Sequence, residues 1–150
     1  MKKLRECVLF AIEKHKGQKR NYSDTDFVVH SIRVMTQMDT FEEKIVAVLH
    51  DVVEDTDATI QDIRFLAGDA IADKVDILTH KNGTSYIEYI KEVSVDEICT
   101  KVKIADIVDN LSDNPSSRMI EKGIKAIYYL TEKTHNTNYS SCIILLTGVW

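Results

Sequence analysis

Apolar residues recur every three or four positions along most of the chain, which is the spacing of one face of an α-helix. This pattern predicts eight helices, over residues 2–15, 27–38, 41–53, 60–66, 69–78, 86–95, 98–112 and 117–133. No alternation of apolar and polar residues typical of a strand precedes residue 139. Pro115 marks the boundary before the last helix, because proline is not tolerated in a helix interior.

Composition favours one globular domain. The chain has 150 residues, a hydrophobic fraction of 44% and a charged fraction of 29%, which suits a soluble protein with a sizeable core. It has five glycines and one proline, so helices have few breakers. We therefore predict an all-α fold, a single bundle of about seven or eight helices over residues 1–150. The short apolar run at 139–150 is expected to pack on this body or on a second subunit.

Charge and cysteine usage narrow the function classes. The formal net charge of −5 argues against nucleic acid as a general partner. No stretch approaches the roughly 20 apolar residues of a membrane span, so we expect no membrane contact. The three cysteines, Cys7, Cys99 and Cys142, are too widely spaced for a disulfide framework or a zinc ribbon. They favour a reducing compartment, and we predict a cytoplasmic protein.

The most informative stretch begins with an apolar run at 45–49 and continues into four ionisable side chains: His50, Asp51, Glu54 and Asp55. Buried carboxylates are normally protonated, paired or bound to metal, because burying them unpaired costs several kcal/mol. In a helix, His50 and Glu54 share one face, and Asp51 and Asp55 share another about 100° away. The stretch by itself is also compatible with a helix end whose acids face water.

Two further candidate ligands lie on other predicted helices, namely His30 and Asp106. With His50 and Asp51 they form a set of two imidazoles and two carboxylates. Such a set suits manganese, iron or zinc with positions left open for water or substrate. A metal ion of this kind lowers the pKa of a bound water and neutralises charge on a phosphoryl oxygen.

Several segments, in order along the chain, resemble the motifs of the HD-domain phosphohydrolases. The resemblance is strongest to the Rel/Spo-type alarmone hydrolases and their small single-domain relatives, and it covers about residues 8–130. The matching segments are His15-Lys-Gly-Gln-Lys-Arg20, then His30, then Leu49-His-Asp-Val-Val-Glu-Asp-Thr56, Leu78-Thr79, Ser85-Tyr-Ile-Glu-Tyr-Ile90 and Lys101-Val-Lys-Ile-Ala-Asp-Ile-Val-Asp-Asn110. A His-Asp pair alone is a weak signal, but the third and last segments together are specific.

The resemblance implies a role for each site residue. A divalent metal ion, typically Mn²⁺, would be held by His30, His50, Asp51 and Asp106. The attacking water would be oriented or activated by Glu54 and Asp55. The guanine base would contact Arg20, and the nucleotide or its phosphates would contact Lys103 and Asn110. The implied reaction removes the 3′-pyrophosphate from guanosine tetra- or pentaphosphate (ppGpp), giving GDP or GTP, so the expected partner is a small-molecule nucleotide.

Three positions depart from the family pattern and leave alternatives open. Ser31 stands where proline is usual, and Ile107 and Asp109 stand where arginine and histidine are common. One alternative is a hydrolase of another nucleotide or phosphoester, suggested by the lost basic residue at 107. Another is a metal-stabilised module that senses a nucleotide without turnover, against which Glu54 and Asp55 argue. Self-association of the chain is left open.

Overall fold

A computed structural model describes residues 2–20 and 24–134, with side chains to residue 132, and the regular elements in these ranges are all helices joined by turns and loops. The helices are α1 Lys2–Lys14, α2 Val28–Thr36, α3 Phe41–Leu49, α4 Val52–Asp55, α5 Ile60–Ala67, α6 Asp69–Leu78, α7 Tyr86–Val93, α8 Glu97–Leu111 and α9 Ser117–Thr134. No strand is present in this part of the chain, so the predicted all-α bundle is confirmed. The apolar run at 139–150 lies outside the described residues.

The predicted third helix is interrupted at His50 and Asp51. α3 ends at Leu49 and α4 begins at Val52, which brings the helices of the described residues to nine. Asp51 has φ −97° and ψ −7°, in the sparsely populated bridge region. Consecutive side chains diverge by about 100° in a regular helix, yet His50 Nε2 and Asp51 Oδ2 lie 3.1 Å apart. The interruption therefore turns both side chains toward one point.

Helix α8 is the centre of the bundle. It packs against α2, α3, α6, α7 and α9. Its apolar residues are buried on several sides, as expected of a helix surrounded by others: Val102, Ile104, Ala105, Ile107 and Leu111. Because α2, α3 and α8 also contact one another in pairs, their polar residues meet inside the bundle.

Gly123 allows α9 to approach α8 closely. A Cβ atom at this position would lie 2.9 Å from Leu111 Cδ1 and 3.0 Å from Ile107 Cγ2, closer than real Cβ contacts. The neighbouring Lys122 is thereby brought to the wall of a cleft that α8 also lines. In the residues that the structure describes, no helix is long and apolar enough to cross a membrane.

Glu43 secures the start of α3. Its carboxylate accepts hydrogen bonds from the backbone N–H groups of Asp39 and Thr40, both at 2.8 Å, and from Lys101 Nζ at 2.9 Å. Burial opposes the charge of Glu43, but these donors outweigh burial and lower its pKa to about 2. A carboxylate whose pKa is lower in the folded than in the unfolded state stabilises the fold at neutral pH.

We expect Glu43→Gln to lower the free energy of unfolding at pH 7 by about 1–2 kcal/mol, because a cap and an ion pair are weakened. The difference from wild type should shrink as pH falls from about 4.5 to about 2, since the wild-type carboxylate becomes protonated in that window. Denaturant titrations over this pH series measure it. Glu121→Gln is the control, since Glu121 is exposed on α9 and pairs with Lys125 of the same helix. If the difference in the free energy of unfolding did not change with pH, the stabilising role of the ionised Glu43 carboxylate would be contradicted.

Candidate metal centre

Four side chains from three parts of the bundle meet at one point. His30 comes from α2, His50 and Asp51 come from the break between α3 and α4, and Asp106 comes from α8. One nitrogen or carboxylate oxygen of each residue lies within 4.8 Å of those of the other three. We call this set the His–Asp cluster. Both histidines and Asp106 are buried, whereas Asp51 is partly exposed, so the cluster is open to solvent on the side of Asp51.

The facing atoms of the cluster are the histidine Nε2 nitrogens and single carboxylate oxygens. His30 Nε2 lies 3.1 Å from Asp106 Oδ1 and 3.4 Å from Asp51 Oδ2. His50 Nε2 lies 3.1 Å from Asp51 Oδ2 and 3.6 Å from Asp106 Oδ1. Both Nε2 atoms are buried without a hydrogen-bond partner of good geometry, which is unusual for buried polar atoms. This donor set fits a divalent cation with nitrogen and oxygen ligands.

The opposite ring nitrogens fix the tautomer of both histidines. His50 Nδ1 lies 2.7 Å from the carbonyl oxygen of Ala47, which can only accept a hydrogen bond, so Nδ1 carries the proton. His30 Nδ1 lies 2.6 Å from Asp109 Oδ2 and donates in the same way. When it loses its second proton, as a metal ligand must, each ring therefore presents the lone pair of Nε2 to the cluster.

The carboxylates of the cluster favour positive charge at its centre. Burial disfavours charge on His30, but Asp106, Asp109 and Asp51 outweigh burial and raise the pKa of His30 to about 11. The same balance of burial against Asp51 and Asp106 raises the pKa of His50 to about 9. A divalent cation would supply this charge and displace protons from the imidazoles.

Glu54 and Asp55 lie beside the cluster and are not members of it. Glu54 Oε2 accepts a hydrogen bond from the backbone N–H of His80 at 2.8 Å, and Glu54 lines the adjoining cleft. Partial burial and the charges of Asp51 and Glu54 raise the pKa of Asp55 to about 6. A carboxylate that titrates near neutral pH is suited to proton transfer.

A cleft of about 260 Å³ adjoins the cluster between α7, α8 and α9. Asp106 lines this cleft together with Lys103, whose Nζ lies 2.8 Å from Asp106 Oδ2 and 5.0 Å from the centre of the Tyr89 ring. The cleft thus combines a cation, aromatic rings and an edge of the His–Asp cluster. Its chemistry suits a phosphorylated ligand.

Arg20 and Asn110 are connected to the cluster by hydrogen bonds. Arg20 Nη2 donates to Asn110 Oδ1 at 2.9 Å, and Asn110 Nδ2 donates to Asp106 Oδ1 at 2.6 Å. Arg20 Nε also donates to Asp113 Oδ2 at 3.1 Å, and its guanidinium lies 5.8 Å from the centre of the Phe27 ring. The structure therefore brings all three residues named as substrate contacts, Arg20, Lys103 and Asn110, next to the cluster.

Other residues of the site were missing from the prediction. His80, Tyr86, Tyr89 and Lys122 line the cleft. The two tyrosines belong to a segment that carried the family resemblance, which was a usable signal. Lys122 had no local signal, because its position depends on how closely α9 packs on α8.

Of the departures from the family pattern, Ile107 lines the cleft, whereas Ser31 and Asp109 are buried and are absent from its lining. Asp109 instead contacts His30 and Arg33 behind the cluster. Only Ile107 can therefore bear on the choice of substrate from the wall of this cleft.

An all-helical bundle that gathers a His-Asp pair, a second histidine and a second aspartate beside a cleft with two lysines has the features of an HD-domain metal-dependent phosphohydrolase. The chain is 32% identical over 124 residues to the guanosine-3′,5′-bis(diphosphate) 3′-pyrophosphohydrolase MESH1 of Drosophila melanogaster, covering 74% of this chain and 69% of that protein. It is 38% identical over 80 residues to the bifunctional (p)ppGpp synthase/hydrolase SpoT of Escherichia coli K12, covering 51% of this chain and 11% of that enzyme.

A solved structure gives the same result for the fold. It is described as a metazoan ortholog of SpoT that hydrolyzes ppGpp and plays a role in starvation responses, and it matches with a TM-score of 0.81 and 25% identity over 100% of this chain and 98% of that chain. No protein-family model matches the chain. The chain belongs to the Rel/Spo-type HD-domain hydrolases, which confirms the resemblance found in its sequence motifs.

We expect one divalent ion per chain when the protein is washed with a chelator and reloaded with Mn²⁺. Asp51→Asn should abolish this binding, because it removes the most accessible carboxylate of the cluster. Elemental analysis of both proteins measures the metal content. Asp57→Asn is the control, since Asp57 is exposed and bonds to Lys14 on the surface. Full occupancy in Asp51→Asn would show that Asp51 is not a ligand.

Proposed function

We propose that the protein is a metal-dependent phosphohydrolase that removes the 3′-pyrophosphate of guanosine tetra- or pentaphosphate, releasing pyrophosphate and GDP or GTP. The observation that carries this proposal is the His–Asp cluster beside a cleft that holds two lysines, Lys103 and Lys122, in a chain 32% identical to a curated enzyme of that name. The solved relative described as hydrolysing ppGpp supports it, because its fold matches this chain along the whole length.

The four residues of the His–Asp cluster are proposed to hold the metal ion, and manganese is the ion that we propose. Mixed imidazole and carboxylate ligands suit Mn²⁺, and also suit iron and zinc. When bound, the ion would lower the pKa of a water molecule and offset negative charge on the reacting phosphoryl group. The fixed tautomers of His30 and His50 support this assignment, because both Nε2 lone pairs face the two carboxylates.

Glu54 and Asp55 are proposed to orient the attacking water and to accept its proton. The hydrogen bond from the His80 N–H holds the Glu54 carboxylate at the cleft. Asp55, with a pKa of about 6, is ionised at neutral pH and is still basic enough to take up a proton. The water oxygen bonds to the phosphorus attached to the ribose 3′-oxygen, and the bond between this phosphorus and the 3′-oxygen breaks. The pyrophosphate leaves with the water oxygen, and the 3′-oxygen takes up a proton to become a hydroxyl.

The substrate contacts are proposed for Arg20, Lys103 and Asn110. An arginine guanidinium can stack on a purine and supplies several donors in one plane, which suits the guanine base. Lys103 lies in the cleft next to Asp106, where its ammonium can meet a phosphate oxygen. Asn110 lies between Arg20 and Asp106 and is proposed to join the base and phosphate ends of the site.

We also propose that residues 1–150 form a single domain and that the protein acts in the cytoplasm. Cys7 and Cys99 are buried and unpaired, which fits a reducing compartment. A different nucleotide substrate is the second candidate function. Its motivation is Ile107, which places an apolar side chain on the cleft wall where a basic residue is common in the family.

A substrate panel tests the proposed activity. The manganese-loaded protein is assayed with ppGpp, GTP, GMP and a generic phosphodiester, and pyrophosphate and phosphate release are measured separately. We expect pyrophosphate release from ppGpp with kcat/KM at least about 100-fold above the other compounds. Preference for another nucleotide would favour the second candidate function. Tight binding of ppGpp without release of any product would favour a sensing module.

We expect Glu54→Gln to lower the single-turnover rate by about 10²–10⁴-fold, the usual contribution of a positioned acid–base group. Metal content should be unchanged, because Glu54 lies outside the His–Asp cluster. Asp55→Asn should behave similarly. Glu42→Gln is the control, since Glu42 is an exposed acid on α3. Loss of metal in Glu54→Gln would make this residue a ligand, and an unchanged rate would remove it from the reaction.

A further inference from the structure

We propose that Asp109, held in place by Arg33, is a positioning residue that orients His30 and keeps the proton of this ring on Nδ1, and so sets the affinity of the centre for its metal ion. This inference rests on the metal site of the proposed function. It concerns a residue that lies outside the cleft lining and makes no contact within the His–Asp cluster other than the one to His30.

The contacts of Asp109 are specific and use both carboxylate oxygens. His30 Nδ1 donates to Oδ2 at 2.6 Å. Arg33 Nε donates to Oδ1 at 2.6 Å, and Arg33 Nη2 donates to Oδ2 at 2.9 Å. The guanidinium thus grips the carboxylate with two parallel hydrogen bonds, a geometry that fixes its plane as well as its position. Arg33 thereby fixes the orientation in which the Asp109 carboxylate contacts the His30 imidazole.

The Nδ1 atoms of the two histidines in the cluster have different hydrogen-bond acceptors. His50 donates to a neutral backbone carbonyl, that of Ala47, whereas His30 donates to the buried carboxylate of Asp109. A carboxylate pulls the Nδ1 proton more strongly than a carbonyl does, and so makes the opposite nitrogen a better electron donor. His30 is therefore expected to be the stronger imidazole ligand of the pair.

Both contacts of residue 109 need a carboxylate. A side chain without one could not accept two parallel hydrogen bonds from Arg33 and at the same time hold a negative charge beside His30. Arg33 and Asp109 come from α2 and α8, and their pairing closes the back of the centre where these helices meet. Residue 109 thus affects the support of the metal ligand, and not the wall of the substrate cleft.

The dissociation constants of Mn²⁺ and Zn²⁺, measured by competition with a chelator, test this inference without any substrate. Asp109→Ala should weaken binding of both ions by about 10–100-fold, the usual effect of removing the outer partner of a histidine ligand. Asp109→Asn should have a smaller effect, because an amide oxygen can still accept the Nδ1–H bond but carries no charge.

Asp73→Asn is the matched control. Asp73 also pairs with an arginine, since Arg64 Nη2 donates to its Oδ1 at 3.1 Å, but this pair lies on α5 and α6 and includes no residue of the His–Asp cluster. Metal affinity should therefore be unchanged in this variant. Thermal melts in chelator show whether each variant is folded, and the nearly isosteric Asp109→Asn provides the test if Asp109→Ala does not fold.

Nitrogen-15 spectra of the imidazoles in the zinc-loaded protein give a second measurement. In Asp109→Asn the resonances of His30 should shift, while those of His50 should stay in place. Wild-type affinity in both Asp109 variants would overturn the inference, as would a wild-type protein that binds neither ion. A protein that binds metal in the expected order of affinities but does not hydrolyse ppGpp would leave the inference standing and refute the proposed function.

Discussion

The site depends on balancing charge in the interior of the bundle. Asp106 is only 3% exposed, and an isolated carboxylate in such a place would be strongly disfavoured. Its oxygens instead face Lys103 and the two buried histidines of the cluster. Burial raises the pKa of Asp106, whereas Lys103 and the two histidines lower it, and their effect prevails. Proton and metal compete for the same place, because either can supply the positive charge that the carboxylates require.

Helix α8 organises this balance because it presents polar groups on one face and apolar groups elsewhere. Lys103, Asp106, Asp109 and Asn110 follow one another at helical spacing. Asp109 connects His30 to Arg33, and Asn110 connects Asp106 to Arg20. His30 and Asp106 are thus each connected to an arginine by hydrogen bonds. The connecting residue lies on α8 in both cases. This arrangement restricts the movement of His30 and Asp106.

The sequence was a good guide wherever the signal was local. Helical periodicity located every helix of the described residues except α4, which it joined to α3, because each of the others buries an apolar face against the core. It missed the break at His50 and Asp51, because an apolar run followed by acids is compatible with one continuous helix. The conformation of Asp51 makes sense only with His30 and Asp106 in place, and these arrive from α2 and α8.

By itself the sequence determined the fold class, the family and the four members of the His–Asp cluster, since motifs and apolar periodicity are properties of short segments. Only the tertiary structure decided which of the residues that depart from the family pattern could contact a substrate. Ile107 and Asp109 both depart from the family pattern, yet Asp109 lies behind His30, while Ile107 reaches the cleft. Two residues apart on a helix, they point in directions about 200° apart. What each direction faces depends on the packing of α2 and α9 against α8, which no short segment encodes.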